Sequence, residues 1–325
     1  MTVLITGASG HLGANLVRLL LERGEHVRAL VHHDRRALAG QDVEIVAGDI
    51  CQPALWERAL VGVDVVYHTA AYISLRTDDG ALARYINVYG TRSVVESCLR
   101  AGVRRLVHFS SIHALDHTAE SGTLDETCPL VKGHGPPYDR SKAAGEREVQ
   151  RGIAHGLDAV IVRPTAVIGP YDFRPSHQGQ VILSLAQGTL PALVKGGFDW
   201  VDARDVAAGA MRAAELAPAG ASYMLSGHWV ALPDLAAEVA RITGRPAPRF
   251  VAPMPLARAG APFMMAWSWL AGTRPLYTSV SLRALRLTCP ASHERATREL
   301  GYKPRPFAET IADTLAWFQA EGPRV

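Results

Sequence analysis

Val3-Leu4-Ile5-Thr6-Gly7-Ala8-Ser9-Gly10-His11-Leu12-Gly13 opens the chain, and its reading decides the fold. Val3–Thr6 is a short buried strand. The spacing G-x-x-G-x-x-G follows at once, and His11 to Arg23 then carries helical periodicity, with Leu12, Leu16, Leu19 and Leu20 on one face and Gly24 as a stop. Strand, glycine loop and helix in that order form a dinucleotide cradle. The turn is tight, the backbone must approach a pyrophosphate closely, and the last glycine lets helix and strand pack. The helix N-terminus offers free N–H groups and partial positive charge to phosphates. A lone glycine motif is weak, because a tight turn also explains it. Its place inside a repeating βα pattern decides for dinucleotide binding.

That pattern extends outward from the loop. His26–Val31, Val43–Ala47, Val63–His68, Val103–Phe109 and Asp158–Arg163 read as strands. Helical runs are expected from Pro53 to about Leu60, from about Gly80 through Arg100, and from Tyr138 to about His155. The order implies an α/β fold, a Rossmann-type doubly wound parallel sheet with helices on both faces. After Pro164 the rhythm is lost. Asp205 to Leu216 reads as one helix and Ser222–Leu225 as one strand returning to the sheet; from Pro233 onward the chain reads as mainly helical. We expect a dinucleotide-binding domain over residues 1–164 plus about 198–226. A smaller, mainly helical substrate-binding cap is expected over about 165–197 and 227–325. A length of 325 residues suits one large domain or two that share a core.

The end of the second strand ordinarily selects the cofactor: a carboxylate binds a ribose 2′-OH, and arginine accommodates a 2′-phosphate. Here it reads Val31-His32-His33-Asp34-Arg35-Arg36. His32 is no acid and Arg35 and Arg36 follow, so NADP is favoured over NAD. Two alternatives stay open: Asp34 bending back toward the ribose, and an ordinary solvated loop.

Tyr138-Asp139-Arg140-Ser141-Lys142 sets a phenol and an ammonium at i and i+4, on one helix face. Hydride transfer to a ketone leaves an alkoxide that needs a proton. A free tyrosine, with pKa near ~10, is a reluctant base. A neighbouring ammonium and a cationic nicotinamide ring both favour phenolate. The tyrosine then serves as acid in reduction and base in oxidation. Y-x-x-x-K is common by chance. Here it opens the helix after the strand ending at Ser110-Ser111, and ligands in open α/β sheets sit beyond the carboxyl ends of strands.

These segments together resemble the extended short-chain dehydrogenase/reductases, the NAD-dependent epimerase/dehydratase family. The matching stretches are Gly7–Gly13, Gly48-Asp49-Ile50, His68-Thr69-Ala70-Ala71, Asn87-Val88-Tyr89-Gly90-Thr91, Phe109-Ser110-Ser111, Tyr138 through Lys142, and Arg163-Pro164 through Gly169-Pro170. The resemblance implies that Ser111 orients the substrate oxygen, Tyr138 is the acid/base, and Lys142 binds ribose and lowers the phenol pKa. Ser110 is the competing serine, and Ile112 after Ser111 fits the family pattern better. Phe109 stands where that pattern often has threonine. Cofactor contacts are implied for Gly7, Ser9, Gly10, His11, Leu12, Gly13, Asp49, Ile50, Thr69, Ala70, Ala71, Pro164, Thr165 and Val167, with Asp49 and Ile50 flanking adenine. Asn87 reads as a helix anchor rather than a catalyst. Gly169–Ser176 and Gly197–Gly209 are most similar to the dihydroflavonol-reductase-like branch, and the resemblance implies a homodimer.

The function expected is hydride transfer between a nicotinamide and the carbonyl or hydroxyl of a small, lipophilic substrate. The alternative is a nucleotide-sugar epimerase or dehydratase with tightly held NAD. Pro164-Thr165 stands where sugar-nucleotide relatives often have asparagine, and Ile112-His113 follows Ser111 where dehydratases often have Asp-Glu. A third reading is a non-catalytic dinucleotide sensor, which has no need of the phenol. Phe173, Trp200, Trp267, Trp269 and Tyr277 are candidates to line an apolar pocket, and His113 and His177 to face it. Phe263–Leu270 is read as cap packing or a subunit contact first, an apolar lid second and a membrane-surface contact last.

Other classes are excluded by composition. The formal net charge is +3 with no basic block, so nucleic acid is not an expected partner. Four scattered cysteines form no C-x-x-C, and thirteen histidines include no H-E-x-x-H, so no metal site is expected. The N-terminus lacks a signal-peptide pattern and Ala259–Gly272 is too short to span a bilayer, so a cytoplasmic protein is expected.

Overall fold

The structure is a computed structural model that describes residues 1–73, 79–116, 122–133, 135–190, 192–260, 282–283, 285 and 290–321. Seven strands form the main sheet: β1 (Thr2–Thr6), β2 (His26–Val31), β3 (Glu44–Ala47), β4 (Val65–His68), β5 (Arg105–Phe109), β6 (Ala159–Pro164) and β10 (Ser222–Leu225). Their spatial order is β10-β6-β5-β4-β1-β2-β3 and every pairing is parallel. The order reverses between β1 and β4. That switch point is where an open α/β sheet leaves a crevice for a ligand.

Successive residues of each strand serve opposite layers, as the pleat requires. Val3, Ile5, Val107, Phe109, Val160 and Val162 pack on one face with Leu16 and Leu20 of α1 (His11–Glu22) and Val206 and Met211 of α6 (Ala203–Leu216). Leu4, Leu30, Val66, Leu106 and Ile161 pack on the other. There they meet Val94, Val95 and Cys98 of α3 (Thr91–Ala101) and Val149 of α4 (Pro137–Ala154).

The expected helix from Gly80 is present with a local change of winding. It begins as α2 (Gly80–Arg84), widens to a π turn over Tyr85–Gly90, and continues as α3. The run from Pro53 to Leu60 is two 3₁₀ turns, Pro53–Leu55 and Glu57–Leu60, rather than one α-helix.

Beyond β6 the structure adds strands to a cap expected to be mainly helical. β7 (Ala166–Ile168), β9 (Gly197–Asp202) and β11 (His228–Ala231) form a second sheet, and β8 (Leu193–Val194) pairs with β12 (Val251–Ala252). Residues 198–202 therefore hydrogen-bond into the small sheet, not the main one. Helices α5 (His177–Gln187), α7 (Leu232–Thr243) and α9 (Phe307–Ala320) close around these strands with a core of Ile182, Leu185, Trp200, Leu235, Val239, Ile311 and Leu315. Helix α8 (Glu294–Leu300) packs instead on α6 and β10 of the large sheet. Phe263–Leu270, Trp267, Trp269 and Tyr277 lie outside the described residues. Among the described residues, no helix is long and apolar enough to cross a membrane and no His/Cys/Asp/Glu group is placed to hold a metal ion.

Candidate active site

The glycine loop is built by contact distances that a side chain would violate. Gly7 has φ +71°, and a Cβ there would fall 2.7 Å from the Ala70 backbone. A Cβ on Gly13 would fall 2.2 Å from the Gly7 carbonyl oxygen. Glycine is the residue that fits both. Gly10 N–H donates to Gly7 O at 2.9 Å, and α1 begins after Gly10 with no side-chain cap. The N–H groups of its first turn, at His11, Leu12 and Gly13, are therefore left for an anion. Thr69 buttresses the loop from β4, its Oγ1 donating to Thr6 O at 2.7 Å.

The His11 N–H faces this anion position, while its imidazole Nε2 lies 3.1 Å from Pro170 O and ties down the segment after β7. Asn15 Nδ2 donates to the same carbonyl at 3.0 Å. One turn further, the Arg18 guanidinium covers the Tyr171 ring at 4.1 Å. Residues 169–174 thus form a strap lying along α1.

At the end of β2, His32 is exposed and stacks on His33, with ring centroids 3.6 Å apart. Asp34 is paired with Arg36. Both of its carboxylate oxygens accept from Arg36, with Nη2 at 2.6 Å, and this pairing holds the carboxyl at about 2. Arg35 is exposed. At the end of β3, Asp49 Oδ1 caps Cys51 N at 2.9 Å and Asp49 O receives the Trp56 indole N–H at 3.0 Å. Ile50 is buried against Gly90.

The Tyr–Lys helix, α4, is seated by a close approach. A Cβ on Gly145 would lie 2.2 Å from Asn87 O in the π turn. Asn87 is the anchor expected. Its Oδ1 accepts from Tyr72 N at 2.7 Å, and its Nδ2 donates to Ser141 Oγ at 2.9 Å, joining the loop after β4 to α4.

Tyr138, Lys142 and Glu146 then follow at successive turns of one face. Lys142 is buried and its Nζ donates to Phe109 O at 2.8 Å. Burial pulls its ammonium down to about 8, opposed by the Glu146 charge. Glu146, fully buried, accepts from Arg163 Nη2 at 2.6 Å and from Ser110 Oγ at 2.6 Å. Ser110 is thereby committed below the site, and Ser111 is the serine left at its surface.

The Ser111 hydroxyl accepts from His113 N at 3.2 Å and lies near enough to the Tyr138 phenol to influence its ionisation. Burial drives the Tyr138 pKa up, with the Asp139 charge adding to it and the Ser111 contact opposing it. His113 Nδ1 is 3.1 Å from Asp139 Oδ1, and its ring meets the Tyr138 ring edge-on at 5.5 Å. The C-terminal ends of β5 and β6 thus bring together Ser111, Tyr138, Lys142 and His113, with Thr165 one residue past β6. Thr165 Oγ1 is buried without a hydrogen-bond partner among the described residues.

Other expected residues also take part in pairing and packing. Pro164 ends β6 opposite Leu225, and Val167 pairs with Val201 in the small sheet. Trp200 is not a pocket residue: it is 2% exposed, donates its indole N–H to Val230 O and sits in the cap core. Phe173 packs edge-on against Trp317 at 5.1 Å. His177 opens α5 half-buried, and burial lowers its imidazole to about 4. The strap contacts of His11 and the Arg163–Glu146–Ser110 tie were not read from the sequence, since no spacing pattern marks pairs so far apart along the chain.

This cradle with its serine, tyrosine and lysine defines a class. The NAD dependent epimerase/dehydratase family matches residues 3–225, and the chain belongs to that family. Within it, the chain is 38% identical to the sterol demethylase protein B of Methylococcus capsulatus over 99% of both chains. It is 33% identical to a Synechocystis protein with a provisional dihydroflavonol 4-reductase name, over 98% of this chain and 94% of that one. The crystal structure of gox2253 superposes with a TM-score of 0.85 at 34% identity, covering 98% of each chain.

Proposed function

We propose that the protein is an NADP-dependent oxidoreductase that interconverts a ketone and a secondary alcohol on a lipophilic ring substrate. The observation that carries this reading is the convergence at the end of β5 of Ser111, bonded to His113, the Tyr138 ring against His113, and the buried Lys142 ammonium one turn further along α4. When bound, the nicotinamide supplies or accepts the hydride.

The chain's own residues handle the oxygen and the proton. Ser111 donates to the substrate oxygen and fixes the carbonyl for attack. Tyr138 delivers the proton to the developing alkoxide, or removes it in the reverse direction. Lys142, one turn from the phenol on α4, would donate to ribose hydroxyls of a bound dinucleotide and stabilises phenolate by its charge. Glu146, held by Arg163 and Ser110, keeps a negative charge one turn below and so supports the ammonium form of Lys142. The uncapped N-terminus of α1 receives the pyrophosphate.

Sterol and dihydroflavonol, the substrates named for the two relatives, are fused-ring molecules, which supports a bulky apolar substrate over a sugar nucleotide. A homodimer fits the exposed stripe of Leu82, Tyr85 and Tyr89, and size-exclusion chromatography tests it. The function is tested by NADPH oxidation across a panel of steroid, flavonoid and terpenoid ketones with wild type and Tyr138→Phe. Turnover in the wild type and its loss in the variant are expected. Undiminished turnover in Tyr138→Phe overturns the mechanism, and activity only on nucleotide sugars overturns the substrate class.

A further inference from the structure

We propose that Arg174, delivered from the cap side by the strap, is a specificity-determining residue that clamps the cofactor 2′-phosphate against Arg35. The inference rests on the NADP reading above.

The strap's course places the residue. Pro170 O is held by His11 and Asn15 in the first turns of α1. Tyr171 and Phe173 both lie under Arg18, at 4.1 and 5.6 Å, one turn further along. Arg18 Nη2 also donates to Ala37 O at 3.2 Å, in the 3₁₀ turn that follows β2. The strap therefore runs along α1 from the glycine loop to the loop at residues 34–38. That loop flanks the end of β2, where a Rossmann sheet receives the 2′ substituent of the adenosine ribose.

Two further contacts fix how the strap leaves. Asp172 is buried and accepts from Ser176 N at 2.7 Å, while Ser176 caps α5 through Gly179 N at 3.0 Å. Tyr171 takes φ +67°, the one positive value at a non-glycine residue among those described. Such a conformation is unfavourable for a residue with a Cβ and persists where its surroundings enforce it. Here the Arg18 stack and the Pro170 ties do so. Arg174 emerges next, exposed, close enough to Asp34 to help hold that carboxyl ionised.

The charges at this spot divide cleanly. Asp34 is neutralised by Arg36, which spends its guanidinium on that carboxylate. Arg18 is spent on Tyr171 and on the Ala14 and Ala37 carbonyls. The Arg35 and Arg174 guanidiniums make no ion pair or hydrogen bond among the described residues, and they come from separate chain segments. Two exposed guanidiniums around a site with its one acid already paired suit a dianionic phosphate monoester. A ribose 2′-OH has no use for them. The strap continues into α5 of the cap, so recognition of this phosphate also tethers the substrate-binding half to the cofactor.

The test is titration calorimetry with adenosine 2′,5′-bisphosphate and with AMP on wild type, Arg174→Ala and Arg174→Glu, with far-UV circular dichroism and thermal unfolding alongside. Wild type is expected to prefer the bisphosphate by tenfold or more. One lost charge-assisted contact corresponds to about a tenfold loss, so Arg174→Ala is expected to lose most of the preference and Arg174→Glu all of it. AMP affinity and fold should be unchanged. A wild-type preference that survives in both variants overturns the role of Arg174 while sparing the NADP reading. No preference in wild type overturns the NADP reading itself, and the inference with it.

Discussion

Replacing Lys142 by methionine should make the cofactor-free protein more stable near neutral pH while removing its activity. The side chain is buried and its ammonium sits at about 8, against an ordinary 10.5, because burial penalises the charged form. At ~1.36 kcal/mol per pH unit, that depression corresponds to about 3 kcal/mol. The sign follows from proton counts. Between pH 8 and about 10.5 the unfolded chain holds a proton on this lysine that the folded chain has released, so wild-type stability gains with rising pH across that window. Below 8 both forms are charged and the full penalty is present. Lys142→Met removes the titration and keeps an unbranched side chain of similar length, at the loss of the hydrogen bond to Phe109 O, worth about 1 kcal/mol. Urea unfolding at pH 7, 8, 9 and 10 should show the variant ahead by about 2 kcal/mol at pH 7, with wild type overtaking it by pH 10. Parallel stability curves over that range would refute the argument, because the lysine would then carry no buried-charge penalty. A gain in stability coupled to loss of turnover is the trade expected where a strained group serves chemistry.

Further outcomes follow from the same packing. Arg163→Met strands the buried Glu146 carboxylate and should cost about 3–5 kcal/mol in urea unfolding, whereas Arg163→Met with Glu146→Gln should recover part of it. Ser110→Ala should lower stability by about 1–3 kcal/mol with Ser111 chemistry retained. Ser111→Ala should leave the unfolding midpoint nearly unchanged and cut kcat on the order of 10²-fold. Gly145→Ala drives a Cβ into Asn87 O, so a loss of about 1–3 kcal/mol by thermal unfolding is expected, with reduced kcat as α4 shifts.

The main sheet was legible because parallel strands buried on both faces are written as continuous apolar runs, and Val3–Thr6 and His26–Val31 are such runs. The cap sheet was not. Ala166–Ile168 and His228–Ala231 are too short to show a period, and Trp200 looks like a pocket residue until its partners from Ile182 to Leu315 are known. At the site, Tyr138 and Lys142 were visible as a spacing, but the choice between Ser110 and Ser111 depends on Glu146, 36 residues from Ser110. The π turn at Tyr85–Gly90 left no mark on the sequence either; it is where Gly145 approaches Asn87 O.

The Ser110–Glu146–Arg163 tie also bears on the order in which the molecule assembles. It joins β5, α4 and β6, three consecutive elements, across separations of 36 and 17 residues. Loop closure over such distances is entropically modest, and units of local contacts form early. The small sheet must instead bring together segments near residues 167, 200 and 229. The α4 face that carries Tyr138, Lys142 and Glu146 is thus expected to be in place before the cap closes. Hydrogen-exchange pulse labelling should find amides of residues 105–164 protected ahead of those in β9 and β11.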